Sequence, residues 1–102
     1  MPQPIVAYLD TDDAEQKIAD LHGVMIDDVY DMFEREEWVV IRNKRKHPGE
    51  RKRFVGATPG GRLLTVILAP KSEPDAWKVV SAWWSSTEEV RLYDEGMRHR
   101  DA

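Results

Sequence analysis

Apolar residues recur every three to four positions near the start of the chain, which is the spacing of one helix face. These residues are Ala14, Ile18 and Leu21. The pattern predicts a helix over about Asp12–Leu21. Thr11 is expected to cap its first turn, because a hydroxyl there accepts hydrogen bonds from free backbone N–H groups. Gly23 is expected to end it, since glycine adopts positive φ without a Cβ penalty.

A second amphipathic pattern follows directly. Its apolar stripe consists of Ile26, Val29, Tyr30 and Phe33. This spacing predicts a second helix over about Ile26–Glu34, with its aspartates facing water. Ahead of both helices, the short apolar run Ile5–Leu9 predicts a strand.

After the second helix the pattern changes to that of strands, rich in β-branched and aromatic residues. Four strands are predicted, over Trp38–Ile41, Lys52–Thr58, Arg62–Ala69 and Trp77–Ser85. The third of these is the most apolar, so we expect it in the middle of a sheet with both faces covered. Pro59-Gly60-Gly61 predicts a hairpin that joins it to the strand before it.

The end of the chain predicts one more helix, over Glu88–Gly96, with Thr87 as its candidate cap. Residues 96–102 are polar and are expected to form a flexible tail. The element order is β-α-α-β-β-β-β-α. It predicts an α+β fold in which the two N-terminal helices pack on one face of a mainly antiparallel sheet. A chain of 102 residues has room for one core, so residues 1–102 are expected to form a single domain.

Charge is distributed unevenly along the chain. The net charge is −4, but residues 1–38 carry −9, residues 39–71 carry +8 and residues 72–102 carry −3. Two interpretations stay open. Either the basic and acidic segments neutralise each other in the fold, or the basic segment forms a surface for an anionic ligand.

Composition excludes several classes of protein. There is no cysteine, and therefore no disulfide framework and no thiolate metal site. The longest apolar run, Leu63–Ala69, is far shorter than the roughly 20 residues of a membrane-spanning helix. The sequence has no phosphate-binding glycine loop, no nucleophile elbow and no histidine pair at metal spacing. We therefore expect neither a metal nor another cofactor, and a cytoplasmic location.

Basic residues interleaved with aromatic ones point to single-stranded RNA, because indoles stack on bases and cations hold phosphates. The candidate RNA-binding residues are Arg42, Lys44, Arg45, Arg51, Arg53 and Trp83. Trp83 and Trp84 are neighbours on one predicted strand, so their side chains are expected to point to opposite faces. One of them then needs cover from a helix, a partner or a base.

Cleaving RNA without a metal requires a base for the 2′-hydroxyl proton, cations for the phosphorane and an acid for the leaving oxygen. The candidate catalytic residues are His22, Arg62, Lys71, Glu89 and Tyr93, with Arg53 as a further cation. Each also has an ordinary structural role open to it. Arg62 is suited to an ion pair, and Glu89 to the positive end of the last helix.

Three motifs resemble the BrnT-type toxins. His22-Gly23-Val24 followed by Phe33 is similar to the "HGV…F" opening of that family. Residues 56–66, GATPGGRLLTV, resemble its "G-x-T-x-x-G-R-x-L-x-V" hairpin, which is the most specific part. Val80-Ser81-Ala82, with Glu89 and Tyr93, resembles its "I-S-A-R…E-x-x-x-Y" ending. The resemblance covers about residues 8–95, nearly the whole chain.

The resemblance implies a RelE-like fold and an endoribonuclease toxin of a type II toxin–antitoxin system. Such a toxin acts on mRNA or on ribosome-bound RNA. The resemblance also implies a protein partner, a small antitoxin that blocks the toxin and binds DNA. The two would assemble as a hetero-oligomer around an antitoxin dimer.

Several positions depart from the family pattern. The family's cations and asparagine around the first helix fall on Ala14, Ile18 and Leu21 here. Trp83 and Lys71 stand where the family has arginines. The alternative function is therefore a non-catalytic binding module of the same fold that holds a protein or a nucleic acid.

Overall fold

The computed structural model describes residues 4–42 and 51–101. The elements in chain order are β1 (Tyr8–Asp10), α1 (Glu15–His22), α2 (Ile26–Arg35), β2 (Trp38–Ile41), β3 (Lys52–Ala57), β4 (Leu63–Pro70), β5 (Ala76–Trp84) and α3 (Thr87–Asp101). This is the predicted β-α-α-β-β-β-β-α order, and the predicted α+β class is confirmed. No helix within these residues is long and apolar enough to cross a bilayer.

The five strands found in the described residues form one sheet in the order β1-β5-β4-β3-β2. The most apolar strand, β4, lies at its centre, as its sequence predicts. Every neighbouring pair from β2 to β5 is antiparallel. β1 adds to β5 in parallel, with Leu9 opposite Trp77, so the sheet is mainly but not wholly antiparallel.

The core lies between the sheet and the two N-terminal helices. Its centre is Phe54, which is fully buried. The Phe54 ring makes edge-on contacts with the rings of Trp38, Phe33 and Trp77, at centroid distances of 5.1, 5.4 and 5.9 Å. Aromatic pairs favour this geometry, because the positive edge of one ring meets the negative face of the other. The predicted packing of α1 and α2 on one face of the sheet is present.

The last helix packs on the opposite face. Trp38 and Val40 belong to the core under α1 and α2, so Val39 between them faces the other way. Gly96 of α3 lies close against Val39. A Cβ at position 96 would come within 2.8 Å of the Val39 Cγ1. The hydroxyl of Tyr93 donates to the carbonyl oxygen of Glu37 at 3.3 Å. These contacts fix α3 across β2 and β3.

The predicted start of the first helix is wrong. α1 begins at Glu15, and no side chain caps it. Thr11 is not the cap, because its hydroxyl lies 3.2 Å from that of Tyr30. The Asp12 N–H donates to the Asp10 carboxylate at 3.2 Å, which forms a turn before the helix. Gly23 does end α1, with φ of 64°, as predicted.

The predicted cap of the last helix is also wrong. The Ser86 N–H donates to the Glu89 carboxylate at 2.9 Å, and the Glu89 N–H donates to the Ser86 hydroxyl at 3.2 Å. This reciprocal pair is a capping box, so Ser86 takes the role predicted for Thr87. The helix also continues to Asp101 past its predicted end at Gly96. At the other terminus, β1 covers Tyr8–Asp10 where the sequence predicted Ile5–Leu9.

Candidate active site

Glu89 is the centre of a buried polar cluster on the sheet face under α3. Its side chain is about as buried as the apolar core, with 4% of the residue exposed. Besides the Ser86 N–H, its carboxylate accepts the indole N–H of Trp83 at 3.0 Å and a guanidinium N–H of Arg53 at 3.2 Å. One carboxylate thus links β3, β5 and α3.

The pKa of the Glu89 carboxyl lies below its ordinary value. Burial raises this pKa, because desolvation disfavours the charged form. Hydrogen bonds from the Ser86 N–H, the Trp83 indole and the Thr65 hydroxyl lower it and together outweigh burial. Glu89 is therefore an anion at neutral pH that accepts fixed hydrogen bonds.

Arg53, a candidate RNA-binding residue, uses its guanidinium for internal contacts. It is 7% exposed. One terminal nitrogen pairs with Glu89, and the other donates to the carbonyl oxygen of Arg42. Its Nε has no hydrogen-bond partner among the described atoms. For Arg53, the interpretation of mutual neutralisation within the fold applies.

The two adjacent tryptophans face opposite sides of the sheet, as their positions predict. In the β4–β5 ladder, Trp83 lies opposite Thr65 and Trp84 lies opposite Leu64. Both indoles are half-buried. Trp83 is held by Glu89, whereas Trp84 packs at the margin of the core and donates its indole N–H to the Gly23 carbonyl at 3.4 Å.

Each of these indoles contacts an exposed candidate catalytic side chain. The ring of His22, at the end of α1, lies 6.2 Å from the Trp83 ring. The guanidinium carbon of Arg62, just before β4, lies 4.2 Å above the Trp84 ring, which is a cation–π contact. We call His22, Arg62, Trp83 and Trp84 the indole end. It brings an imidazole and a guanidinium to solvent at one end of the sheet.

A comparison with solved structures finds a similar fold. One match is the crystal structure of the Brucella abortus ribonuclease toxin BrnT, with 20% identity and a TM-score of 0.54, over 84% of this chain and 100% of that chain. The chain has a BrnT-like fold. No protein-family model matches the sequence, and neither does any curated protein.

Lys71 lies far from the indole end of this BrnT-like fold. It follows β4 directly, whereas Arg62 precedes that strand. At about 3.3 Å per residue the two positions are roughly 25–30 Å apart, so they cannot contact the same phosphate. The Lys71 ammonium instead donates to the Asp10 carboxylate at 2.6 Å. That bond lowers the pKa of Asp10 and raises the pKa of Lys71.

The remaining candidates are spread over the same face and its margins. Tyr93 anchors α3 to the residue before β2, as described above. Arg42 is exposed and lines a cavity of about 330 Å³ with Arg53, Glu88 and Leu92, between the sheet and α3. Arg51 is half-buried directly before β3. Lys44 and Arg45 lie outside the described residues.

The charge pattern thus has a divided outcome. The cations of Arg53 and Lys71 are neutralised by Glu89 and Asp10, while Arg62 forms no ion pair within residues 4–42 and 51–101. No group of three His, Asp or Glu side chains in those residues is placed to hold a metal ion. The sequence pairs Trp84 with Trp83 as a candidate binding surface but assigns only Trp83 to RNA, and in the structure Trp84 lies at the same end of the sheet.

Proposed function

We propose that this chain is a metal-independent endoribonuclease that acts in the bacterial cytoplasm as the toxin of a type II toxin–antitoxin pair. The observation that carries the proposal is the indole end, where exposed His22 and Arg62 stand on neighbouring tryptophans. A BrnT-like fold supports it, because the matched structure is that of a ribonuclease toxin.

The indole end offers a base and a cation for RNA cleavage by internal transfer. The 2′-oxygen bonds to the adjacent phosphorus, and the bond from phosphorus to the 5′-oxygen breaks, leaving a cyclic phosphate and a free 5′-hydroxyl. In this proposal His22 accepts the 2′-hydroxyl proton, and water protonates the 5′-oxygen. Arg62 stabilises the added negative charge on the phosphorane. The exposed parts of Trp83 and Trp84 stack on the flanking bases.

The buried residues have positioning roles in this proposal. Glu89 holds the Trp83 indole N–H, and Arg53 balances the charge of Glu89. Tyr93 fixes α3, whose first turn carries Glu89. Arg42 and Arg51 would contact RNA away from the bond that is cleaved, whereas Lys71 stays paired with Asp10.

The proposal is tested by incubating the purified chain with single-stranded RNA, with and without EDTA. Cleavage is expected under both conditions. Arg62→Ala is expected to reduce the rate by about 10²–10³, as for loss of one donor to a developing oxyanion. His22→Ala is expected to reduce it by about 10²–10⁴, as for loss of a general base.

Two exposed residues on α3 provide matched controls. Arg91→Ala removes an arginine that pairs with Glu95, and His99→Ala removes a second exposed histidine. Both variants should cleave at the rate of the unchanged chain. Cleavage that disappears in EDTA would refute the metal-independent mechanism, and unimpaired cleavage by the Arg62 variant would remove that residue from it.

A non-catalytic binding module is the second candidate. It is favoured by one observation, that the most buried charges on the α3 face, Arg53 and Glu89, satisfy each other. Such a module would bind RNA or protein at the indole end without cleaving it. Expression of the chain alone separates the two, since a toxin arrests growth and a binding module does not.

The partner in this proposal is a small antitoxin protein whose dimer would join two copies of the toxin. The support is the BrnT-like fold together with the motifs shared with that family. Co-expression with the small reading frame beside the gene should restore growth. Growth arrest that persists despite formation of a complex would contradict an antitoxin role.

A further inference from the structure

The edge of β5 is open beyond the short strand β1. β1 pairs with Ala76–Lys78 only, so the rest of β5 has no strand on that side in the described part of the chain. The ladder between β4 and β5 is also interrupted there, with Val79 and Ser81 paired and Val80 bulged out. Lys17 of α1 reaches across this edge and donates to the Val80 carbonyl at 3.4 Å. Bulges of this kind often re-aim side chains beside functional sites.

A cavity of about 240 Å³ lies at this bulge. Its charged lining comes from α1, from β5 and from the segments just before α1 and β3, and small or β-branched residues form the rest. The lining residues are Asp13, Ala14, Lys17, Arg51, Ala69, Lys78, Val79 and Val80. We call this the edge cavity. It shares no lining residue with the indole end and lies next to it, since Val80 is three positions before Trp83 on β5, which corresponds to about 10 Å.

The edge cavity is positively charged in an acidic protein. Three cations and one carboxylate line it, a net charge of +2 against −4 for the whole chain. The carboxylate of Asp13 is paired with Lys78 at 2.7 Å. Lys17 contacts a neutral carbonyl, and half-buried Arg51 has no ion pair within the described residues. Among the described residues, Lys17 and Arg51 therefore have no counter-ion, and both line the same cavity.

We infer that the edge cavity is a second phosphate-binding site, which holds a backbone phosphate of the RNA whose cleaved bond lies at the indole end. This inference rests on the proposed function for its substrate. A single-stranded RNA would run along the open edge of β5, with bases on the indoles and a phosphate other than the cleaved one on Lys17 and Arg51. The two non-bridging oxygens of a phosphodiester suit donors that converge from α1 and from the residue before β3.

Binding is measured separately from cleavage with a 2′-O-methyl oligouridine of about 12 nucleotides, in which the attacking hydroxyl is blocked. Affinity is recorded over a range of salt concentrations for the unchanged chain and for the Lys17→Ala/Arg51→Ala variant. Each phosphate contact contributes about 0.7 to the slope of log affinity against log salt for a single strand. Both cations are inferred to hold the same phosphate, so the double variant should lose about 0.7 from that slope.

Lys52→Ala is the matched control, because Lys52 is exposed, adjacent to Arg51 and outside the lining of the cavity. Its slope should equal that of the unchanged chain. A double variant that keeps the slope of the Lys52 control would overturn the inference.

Two further readouts locate the effect. An unmodified RNA dinucleotide has only the phosphate whose bond is cleaved and none for the cavity, so its cleavage should be equal in the double variant and the unchanged chain. An equal loss on dinucleotide and long RNA would overturn the inference, since it would indicate a general structural defect. Inorganic phosphate should shift the backbone amide resonances of Lys17, Arg51 and Lys78, and shifts confined elsewhere would also overturn it.

The failure of the two proposals can be told apart. If the unchanged chain cleaves no RNA while the double variant still loses slope on the 2′-O-methyl probe, the edge cavity stands as a phosphate site and the nuclease proposal fails. If the RNA is cleaved and the slope is unchanged, the nuclease proposal stands and the edge cavity fails.

Discussion

The two faces of the sheet are formed by the same strands but are stabilised by different interactions. On the face under α1 and α2, the buried residues of the strands are apolar, with Phe54 at the centre of an aromatic cluster. On the face under α3, the cross-strand rows include Arg53, Thr65 and Trp83, which meet the carboxylate of Glu89. The apolar face needs only shape and volume. The polar face needs every donor and acceptor to find a partner, because burial without one is costly.

Because of this difference, one face mainly stabilises the fold and the other also fixes the positions of particular side chains. Apolar burial is non-directional, so it stabilises the fold without fixing a particular ring or hydroxyl. Hydrogen bonds are directional, so those at Glu89 fix the Trp83 indole next to His22. We therefore expect substitutions on the apolar face to change mainly the stability of the fold. Substitutions on the polar face should change both the stability and the geometry of the indole end.

The largest effect is expected for Phe54→Ala on the apolar face. Removing a fully buried ring leaves a cavity among Trp38, Phe33 and Trp77, which should reduce the free energy of unfolding by roughly 3–5 kcal/mol. Urea unfolding measures it. Leu21→Ala is the control, because Leu21 is 66% exposed although the sequence placed it on an apolar stripe. An equal loss in both variants would contradict the assignment of the core.

The next effect is expected for Glu89→Gln on the polar face. At neutral pH this substitution leaves the buried Arg53 guanidinium without a counter-ion. The free energy of unfolding should fall by an amount near the lower end of the range of about 3–5 kcal/mol, because the amide still accepts a hydrogen bond. Trp83 fluorescence should change as well, because its indole N–H loses a charged acceptor. Lys71→Gln, at an exposed ion pair, is the control and should leave that fluorescence unchanged.

The same substitution has a pH dependence with a defined sign. The folded pKa of Glu89 is lowered from the ordinary value of 4.5, so the unfolded chain takes up the proton at a higher pH than the folded chain does. The stabilisation is fully present above the unfolded pKa and is lost as the pH falls through the folded pKa. The gap in unfolding free energy between the unchanged chain and Glu89→Gln should therefore narrow as the pH is lowered. A gap that widens in acid would contradict the lowered pKa.

The sequence predicted the elements of this fold well, because their signals are local. The change from helical to strand spacing placed α2 and β2 within one residue of their observed bounds, and the apolarity of β4 placed it mid-sheet. The parallel addition of β1 to β5 was missed, since its partners are 68 residues apart and no local pattern records them.

The candidate site was predictable by residue type but not by placement. His22, Arg62 and Trp83 were singled out, and the structure brings them to one end of the sheet. The sequence could not show that Arg53 meets Glu89, 36 positions later, or that Lys71 meets Asp10, because ion pairs across a fold depend on strand order. Long-range pairing therefore decides which cations remain available to a ligand.

The cap of the last helix has a local signal in the sequence, but the prediction assigned it to the wrong residue. Substitutions at this cap should have the smallest effect on stability of those considered. Ser86 and Glu89 have the spacing of a capping box, whereas Thr87 is the first residue of the helix. Ser86→Ala should therefore reduce the free energy of unfolding by about 1 kcal/mol, and Thr87→Ala by no more than about 0.5 kcal/mol. Thermal and urea unfolding of the two variants measure this difference. A larger loss for the Thr87 variant would indicate that Thr87, as the sequence predicted, caps the helix. Glu89 would then have no part in the cap, and its burial would be explained by its bonds to Arg53 and Trp83 alone.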